Sequence, residues 1–370
     1  MGTFRPAIAA IAVFLSGALL PGIAAAKSSR HAHSHAAAHS HGGAQRIPPP
    51  ITTDGINNAQ FSPSLKFDKA SPLIVKAEIL LDRQSISPGQ IDGHAGDNAR
   101  KAIAAFQDSH GLDATGKLDE ATWNELTRNA SDPLIVEYQI SDKDVKGPFA
   151  KSIPHDLVQM ARLDHLSYTS PLELLGEKFH VDPKLLTQLN PGKRFDEAGT
   201  TILVPNVGER DASARVAEIE VDKWNRAVRA LGENGELIAF YPASIGSQEK
   251  PAPSGKFKVR RVSRNPTYHY DPKFHFKGVH TKRKLTVAAG PNNPVGLVWI
   301  DLSIDSYGIH GTPDPERIGK TYSHGCIRLT NWDALDLGGR VGRGTPVVFL
   351  DEPPSQMPRK EGPGEARGRE

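Results

Sequence analysis

The chain has 370 residues, of which 38% are hydrophobic and 24% are charged, and its formal net charge at pH 7 is +3. This composition is that of an ordinary globular protein, and a chain of this length is expected to form two or three domains. The small net charge and the absence of a block of like charges argue against nucleic acid as a partner.

The amino terminus has the pattern of a secretory signal peptide. A short basic region, 1–5, precedes an apolar run, 7–20, and three alanines at 24–26 fit the small-residue cleavage site. We therefore predict a signal peptide over 1–26 and an exported protein of the periplasm or cell envelope. No transmembrane segment is predicted, because no apolar run reaches the ~20 residues that a membrane helix needs.

Residues 27–71 are rich in histidine, glycine and proline and show little apolar periodicity. Such a segment cannot bury enough surface to offset the entropy of ordering, so we predict a disordered linker. Its histidines suit Zn²⁺, Cu²⁺ or Ni²⁺, but nothing fixes a ligand geometry, and metal binding is only the alternative to a spacer. These residues are His31, His33, His35, His39 and His41.

Residues 72–128 are predicted to form a small helical domain. Apolar side chains recur at i, i+3, i+4 and i+7 from Ala99 to Phe106, behind Asp97 as the expected N-cap. A closing helix that carries a tryptophan is expected over 120–126, capped by Asp119. This order of helices and Gly-containing turns resembles the peptidoglycan-binding domain of cell-wall enzymes, and a spacer without a ligand is the alternative.

Residues 164–207 have a strand–helix–helix–strand pattern, whereas the segment before them has no clear pattern. Ser170-Pro171 and Asp182-Pro183 each place a capping residue before a proline at the first helical position. Strands are expected at 165–168 and 200–204. With the Leu-Asn-Pro-Gly turn after the second helix, this βααβ order resembles a lysin motif, a glycan-binding module. A purely structural role is the alternative.

Residues 215–350 are predicted to form a mainly β domain, and Thr330 or Asn331 is expected to cap a helix that runs through Leu337. The tail, 351–370, has no apolar periodicity and is predicted to be disordered. The fold class is therefore α+β with several domains. Strands are expected at 219–221, 237–241, 256–262 and 298–304, the last from strict alternation of apolar and polar residues.

The single cysteine of the chain, Cys326, is the candidate nucleophile. It lies in the run Ser323-His324-Gly325-Cys326-Ile327-Arg328, sixteen positions after His310. A thiol attacks as its thiolate, so an imidazole must lower its pKa or take its proton. We predict that His310 is this base, and His324, which is nearer in the sequence, is the alternative.

The neighbouring residues are predicted to support the same chemistry. Backbone N–H groups of Gly325 and Cys326 suit an oxyanion, since glycine permits unusual dihedral angles. Arg328 lies on the same side as the cysteine in an extended chain, where it could hold a substrate carboxylate. Gly308 and Gly311 are expected to make the backbone beside the base adaptable. No cofactor or metal is expected in the site.

These motifs together resemble one enzyme family. Ile309-His310-Gly311-Thr312, followed by Tyr322-Ser323-His324-Gly325-Cys326-Ile327-Arg328-Leu329, is similar to the signature of the L,D-transpeptidase catalytic domain, and 253–257 and 290–296 also match. The resemblance implies a β-rich fold and a cysteine that takes an acyl group from a peptidoglycan stem tetrapeptide, releasing D-alanine. A diaminopimelate amine of a neighbouring stem then attacks the thioester to form a 3→3 cross-link.

The resemblance also implies roles for single residues. Cys326 would be the nucleophile, His310 the proton acceptor and Gly325 the backbone turn. Ser323 and His324 occupy the supporting positions of the motif, and Arg328 a substrate-binding position. The implied partners are peptidoglycan stem peptides and glycan strands.

Three other functions remain open at this stage. A hydrolase on the same scaffold would let water attack the thioester, and a ligase or releaser would act on a wall-attached lipoprotein. The sequence does not separate these from cross-linking, because the choice of acceptor depends on loop shape and water access. A non-catalytic wall-binding protein is the third alternative, and the intact motif argues against it.

Overall fold

The structure is a computed structural model that describes residues 51–63, 69–208, 210, 213–247, 250–274, 281–321 and 325–351. The predicted signal peptide, the histidines of the linker and the tail beyond Asp351 lie outside the described residues, as do Ser323 and His324. Within the described ranges, no helix is long and apolar enough to span a bilayer.

Helices dominate the first half of the described chain and strands the second half. The helices are α1 (Thr53–Asn57), α2 (Pro72–Arg83), α3 (Asp97–Ser109), α4 (Glu120–Thr127), α5 (Asp142–Lys146), α6 (Leu157–Met160), α7 (Pro171–Lys178), α8 (Pro183–Leu189) and α9 (Asn331–Arg340). The strands are β1 (Ile135–Gln139), β2 (Thr201–Pro205), β3 (Glu218–Asp222), β4 (Ala227–Leu231), β5 (Leu237–Pro242), β6 (Ser244–Ile245), β7 (Gly255–Arg264), β8 (Tyr268–Tyr270), β9 (Leu285–Val287), β10 (Val298–Leu302), β11 (Gly308–His310), β12 (Ile327–Arg328) and β13 (Pro346–Leu350).

Helices α2, α3 and α4 form the predicted small helical domain. Asp119 caps α4 as expected, since its side chain accepts the N–H of Thr122 at 2.8 Å. The N-cap of α3 is Gly96, which has no side chain to bond, so the prediction of Asp97 as the cap is wrong. Asp97 is instead the first helical residue, where a carboxylate is stabilised by the positive end of the helix dipole.

The predicted disordered linker does not extend to residue 71, because helix α1 lies within it. Thr52 caps α1 by accepting the N–H of Gly55 at 3.0 Å, and Ile56 is fully buried. The ammonium of Lys76 on α2 donates to the carbonyl of Asn57 at 3.0 Å. The buried isoleucine, the local cap and the Lys76 ammonium together hold this short helix against α2.

The two-stranded sheet of the lysin-motif-like segment pairs β2 with β1 in antiparallel register, from Ile135 opposite Pro205 to Gln139 opposite Thr201. The predicted opening strand at 165–168 is therefore wrong. Leu166 instead bonds to a loop of the β domain, donating to the carbonyl of Ala289 at 3.0 Å and accepting the N–H of Asn292 at 2.9 Å. Residues 164–207 therefore contain α7, α8 and β2, and the strand that pairs with β2 precedes α5 and α6 instead of leading directly into α7.

The helical domain and the βααβ segment share one hydrophobic core. Ile91 links them directly, because its N–H donates to the carbonyl of His180 at 2.8 Å and its carbonyl accepts the N–H of Asp182 at 2.9 Å. The same core includes Ala227 and Phe240 of the β domain. The two accessory segments are therefore one packed body that also contacts strands β4 and β5.

The β domain is one nine-stranded mixed sheet in the order β5-β4-β3-β13-β7-β10-β11-β12-β6. Its edge strands β5 and β6 are separated in the chain by Ala243 alone, so the sheet curls into a nearly closed barrel. Strand β10 ends at Leu302, two residues before the alternating pattern ends, next to an irregularity in its pairing with β7. Helix α9 covers the barrel and begins at the predicted cap, Thr330.

Gly290 provides a test of the contact between the accessory body and the β domain. Its φ is +144°, and a Cβ there would lie 2.2 Å from the carbonyl oxygen of Leu166. We expect Gly290→Ala to lower the free energy of unfolding by about 1–3 kcal/mol, because the backbone conformation is strained for a side chain and the contact leaves no room. Chemical denaturation measures this difference.

The matched control is Gly342→Ala. Gly342 is exposed, lies outside the left-handed region and has nothing within 4 Å of a Cβ position. A surface change of this kind is expected to alter the free energy of unfolding by less than about 0.5 kcal/mol. Equal effects of the two substitutions would contradict the close packing of Leu166 against Gly290.

Candidate active site

The candidate base and the candidate nucleophile belong to neighbouring strands. Strand β11 carries His310 and pairs in parallel with β12, so that Ile309 lies opposite Ile327 and His310 opposite Arg328. Cys326 directly precedes β12. The parallel register therefore brings together two segments that are sixteen positions apart in the sequence.

His310 is buried, and its imidazole has a defined orientation. Its ring stacks on that of Trp299, with 5.5 Å between centroids and 21° between planes. Its Nδ1 lies 2.7 Å from the carbonyl oxygen of Gly311. A carbonyl only accepts hydrogen bonds, so Nδ1 carries the proton and Nε2 keeps its lone pair.

The imidazole is neutral at physiological pH. Burial lowers the pKa of His310 to about 3, and the positive charge of Arg328 adds to this effect, while the bond to Gly311 opposes it. A neutral imidazole is the form that can accept a proton.

Cys326 is partly buried, and its sulfur contacts the turn between β10 and β11. The thiol donates to the carbonyl of Ser306 at 3.8 Å, and the N–H of Gly308 donates to the sulfur. Burial raises the pKa of the thiol, and the Gly308 N–H and the charges of Arg328 and Lys250 oppose this only in part. The resting cysteine is therefore a thiol, and a base must take its proton during attack.

Gly308 and Gly311 are needed for close approach and not for unusual dihedral angles. Neither has a positive φ, so the expectation of an adaptable backbone is wrong. A Cβ on Gly308 would lie 2.8 Å from the carbonyl oxygen of Ile300, and one on Gly311 would lie 2.3 Å from Oδ1 of Asn331. Both glycines let other groups pack directly against the strand of the candidate base.

Gly325, in contrast, has a φ of +125° and open space at its Cβ position. This conformation directs the backbone before the cysteine in a way that side chains disfavour. The other predicted site residues of this run, Ser323 and His324, lie outside the described residues.

Two tyrosines that no sequence pattern indicates lie near the sulfur. Burial raises the pKa of Tyr268 to about 12, and proximity to Cys326 contributes to the shift. The pKa of Tyr307 is also raised, by burial first and by Cys326 second. Neither tyrosine belongs to a motif with chemical meaning, and the hairpin that carries Tyr268 reaches the site from a distant part of the chain.

Comparison with known proteins identifies two families in the chain. The family model of the L,D-transpeptidase catalytic domain, YkuD, matches residues 217–349, and a model described as "Putative peptidoglycan binding domain" matches residues 71–126. The Bacillus licheniformis protein "Putative L,D-transpeptidase YkuD" is 33% identical over 178 residues, which cover 48% of this chain and 91% of that protein.

Other relatives differ in how much of their own length the match covers. The Escherichia coli protein "Probable L,D-transpeptidase YbiS" is 31% identical over 196 residues, which cover 50% of this chain and 61% of that protein. A solved structure of the catalytic domain from the E. faecium L,D-transpeptidase acylated by ertapenem is 23% identical, with a TM-score of 0.29, and the match covers 37% of this chain and 98% of that chain.

The chain is thus an enzyme with an L,D-transpeptidase catalytic domain behind an N-terminal peptidoglycan-binding domain. It belongs to the L,D-transpeptidase family that includes YkuD. The resemblances to the L,D-transpeptidase catalytic domain and to the peptidoglycan-binding domain are confirmed. The family is one of cell-wall enzymes, which implies the cell envelope. The lysin-motif resemblance stays a prediction.

Proposed function

We propose that the protein is a peptidoglycan L,D-transpeptidase that forms 3→3 cross-links through a thioester on Cys326. The observation that carries this proposal is the pairing of the strand of His310 with the strand that Cys326 precedes. The 2.7 Å contact from His310 Nδ1 to the Gly311 carbonyl leaves Nε2 as the proton acceptor. Membership of the family supports the substrate class.

The proposed reaction has two proton-balanced halves. As the sulfur of Cys326 attacks the donor carbonyl, its proton passes to Nε2 of His310 and then to the amine of the departing D-alanine. In the second half, the amine of a neighbouring stem attacks the thioester, and its proton passes to the same nitrogen. The thiol is restored when the thioester breaks.

Arg328 has a proposed role that depends on charge. It lies opposite His310 in the strand register, and its positive charge helps to keep the pKa of that imidazole low. A substrate carboxylate paired with Arg328 would offset this charge, so the imidazole would become a stronger base when the donor is bound. Arg328 would thereby bind the donor and couple binding to proton transfer.

The main-chain N–H groups at Gly325 and Cys326 are proposed to stabilise the oxyanion. The φ of +125° at Gly325 supports this proposal, because a turn of this kind can aim consecutive N–H groups at one point. Ser323 and His324 are proposed to support the same turn.

The proposed setting is the envelope of a cell with a peptidoglycan wall, reached by export of the chain through the signal peptide. The peptidoglycan-binding domain supports contact with the wall, and the βααβ segment is proposed to add glycan contacts. A wall-attached lipoprotein is the alternative acceptor in place of a neighbouring stem.

Incubation of the mature protein with disaccharide-tetrapeptides, followed by mass analysis of the products, tests the proposal. Dimers that have lost one D-alanine are expected, and Cys326→Ala is expected to form none. Shortened monomers without dimers would indicate a hydrolase instead. An identical product pattern for the wild type and Cys326→Ala would contradict any reaction through this thiol.

A further inference from the structure

Asn331, the first residue of α9, packs against the strand of the candidate base. It is 1% exposed, and its Oδ1 accepts the N–H of Leu297 at 3.0 Å. The same oxygen lies against Gly311, where a Cβ would come within 2.3 Å of it. Since the carbonyl of Gly311 fixes the imidazole of His310, the position of this asparagine bears directly on the position of the base.

The other end of the asparagine amide is held by the accessory body. Nδ2 of Asn331 donates to Oε1 and Oε2 of Glu177 on α7, at 3.0 and 3.1 Å, and to the carbonyl of Pro291 at 3.1 Å. The hydroxyl of Tyr168 donates to Oε2 of the same carboxyl group at 3.1 Å. A buried amide loses free energy when its donors lack acceptors, so Glu177 stabilises this orientation of Asn331.

We propose that Glu177 and Asn331 are positioning residues for His310, so that the accessory body completes the catalytic site. The contacts run from the carboxyl group of Glu177 to the amide of Asn331, then to Gly311 and to Nδ1 of His310. The β domain supplies His310, and α7 of the accessory body supplies Glu177, the acceptor that holds Asn331 in place. This inference rests on the proposed function only for the identity of the reaction that it affects.

The carboxyl group of Glu177 is buried at this contact, and burial changes its protonation. Burial raises the pKa of Glu177 to about 8, and the nearby charge of Glu173 adds to the shift, while the bonds from Asn331 and Tyr168 oppose it. These three residues are the groups that face the carboxyl group from α7, α9 and the segment before α7. Its neutral form is therefore the form that the folded protein favours.

The sign of the resulting pH dependence follows from this shift. Between the ordinary pKa of 4.5 and about 8, the folded protein keeps a proton on Glu177 that the unfolded chain releases. The contribution of this group to the free energy of unfolding therefore falls as the pH rises through that window. Glu177→Gln cannot ionise and is expected to lack this part of the pH dependence.

Kinetics of Glu177→Ala, Asn331→Ala and the double variant test the proposal. Each single variant is expected to lower kcat by about tenfold with KM within about twofold, because a displaced base slows chemistry more than binding. The double variant is expected to be no slower than Asn331→Ala, since Glu177 acts through that residue. Glu177→Gln keeps an acceptor oxygen and is expected to recover most of kcat.

Glu137→Ala is the matched control, because Glu137 is an exposed carboxylate on β1 of the same accessory body. It is expected to leave kcat unchanged. Should Glu177→Ala fail to fold, Asn331→Ala tests the same contacts, and Tyr168→Phe, which removes one donor to Glu177, is expected to lower kcat to a smaller extent. An unchanged kcat in Glu177→Ala or in Asn331→Ala, or losses that add in the double variant, would overturn the proposal.

Alkylation of Cys326 by iodoacetamide separates this inference from the proposed function. The chain has one cysteine, so the rate of adduct formation reports on the thiol and its base without any peptidoglycan. Slower alkylation in Glu177→Ala and Asn331→Ala supports the positioning role even if the wild type forms no cross-links. If the wild type forms cross-links but the two variants show unchanged alkylation and unchanged kcat, the positioning role is wrong and the proposed function stands.

Discussion

His310→Gln is expected to slow acylation of Cys326 by about 10²–10⁴-fold, the contribution usual for a positioned general base. Burial raises the pKa of the thiol, so very little thiolate forms at neutral pH without a base. Glutamine keeps much of the volume of the imidazole but accepts no proton. The increase in protein mass as a disaccharide-tetrapeptide donor acylates Cys326 measures the rate.

The pH dependence of acylation adds a second test of the same residue. Because the pKa of His310 is about 3, its imidazole stays neutral as the pH falls from 7 to 5. The wild-type rate is therefore not expected to fall over that range through protonation of His310. A steep loss near pH 6 would indicate that another histidine acts as the base, and His324 is the alternative.

His155→Gln is the matched control for this prediction, because His155 is an exposed histidine outside the β domain. Its acylation rate is expected to equal that of the wild type. If His310→Gln also stays within about threefold of the wild type, the assignment of this base is wrong.

Arg210→Met is expected to lower the free energy of unfolding by about 3–5 kcal/mol, the range for breaking a buried ion pair. The guanidinium is 8% exposed and bridges the accessory body to α9. It bonds to Asp82 on α2, to Asp333 at 2.9 Å and to Asp336 at 3.5 Å. Methionine fills similar space but leaves these carboxylates without the cation between them. Chemical denaturation at pH 7 measures the loss.

The difference in the free energy of unfolding between Arg210→Met and the wild type is expected to become smaller as the pH falls toward 4. In the wild type, the charges of Arg210 and His180 help to hold the pKa of the Asp82 carboxyl below its usual value, although burial opposes this. Without the guanidinium, burial raises the pKa of Asp82. The folded variant therefore binds a proton at this carboxyl group more readily than the unfolded chain does. Its free energy of unfolding is then higher at low pH than at pH 7 as far as this group contributes.

Arg194→Met is the matched control, because Arg194 forms only exposed ion pairs with Asp196 and Glu197. Such pairs contribute little to stability in water. If the two arginine variants unfold at the same denaturant concentration, the buried cluster does not hold the accessory body to α9.

Local signals were sufficient to predict much of the fold. Ser170-Pro171 and Asp182-Pro183 begin α7 and α8 as predicted, because a capping side chain and a proline at the first position act within one helical turn. The motif around Cys326 and His310 similarly indicated a site, since its meaning depends on residue type and spacing. These features require no knowledge of distant contacts.

Long-range contacts could not be predicted in the same way. Strand β1 pairs with β2 across more than sixty residues. The local pattern instead predicts the partner strand at 165–168, directly before α7, and this prediction is wrong. That segment binds the loop at Ala289 and Asn292, which a local pattern cannot reveal. Tyr268 and the contact of Glu177 with Asn331 were missed for the same reason.

The shared core of the accessory body affects where the enzyme would hold the cell wall relative to its reactive sulfur. Because this core continues into Ala227 and Phe240 of the barrel, the peptidoglycan-binding domain cannot swing freely about the catalytic domain. A glycan strand held by that domain would stand at a set distance from the reactive sulfur. The enzyme would then favour stem peptides whose distance from the bound part of the glycan strand matches this fixed separation.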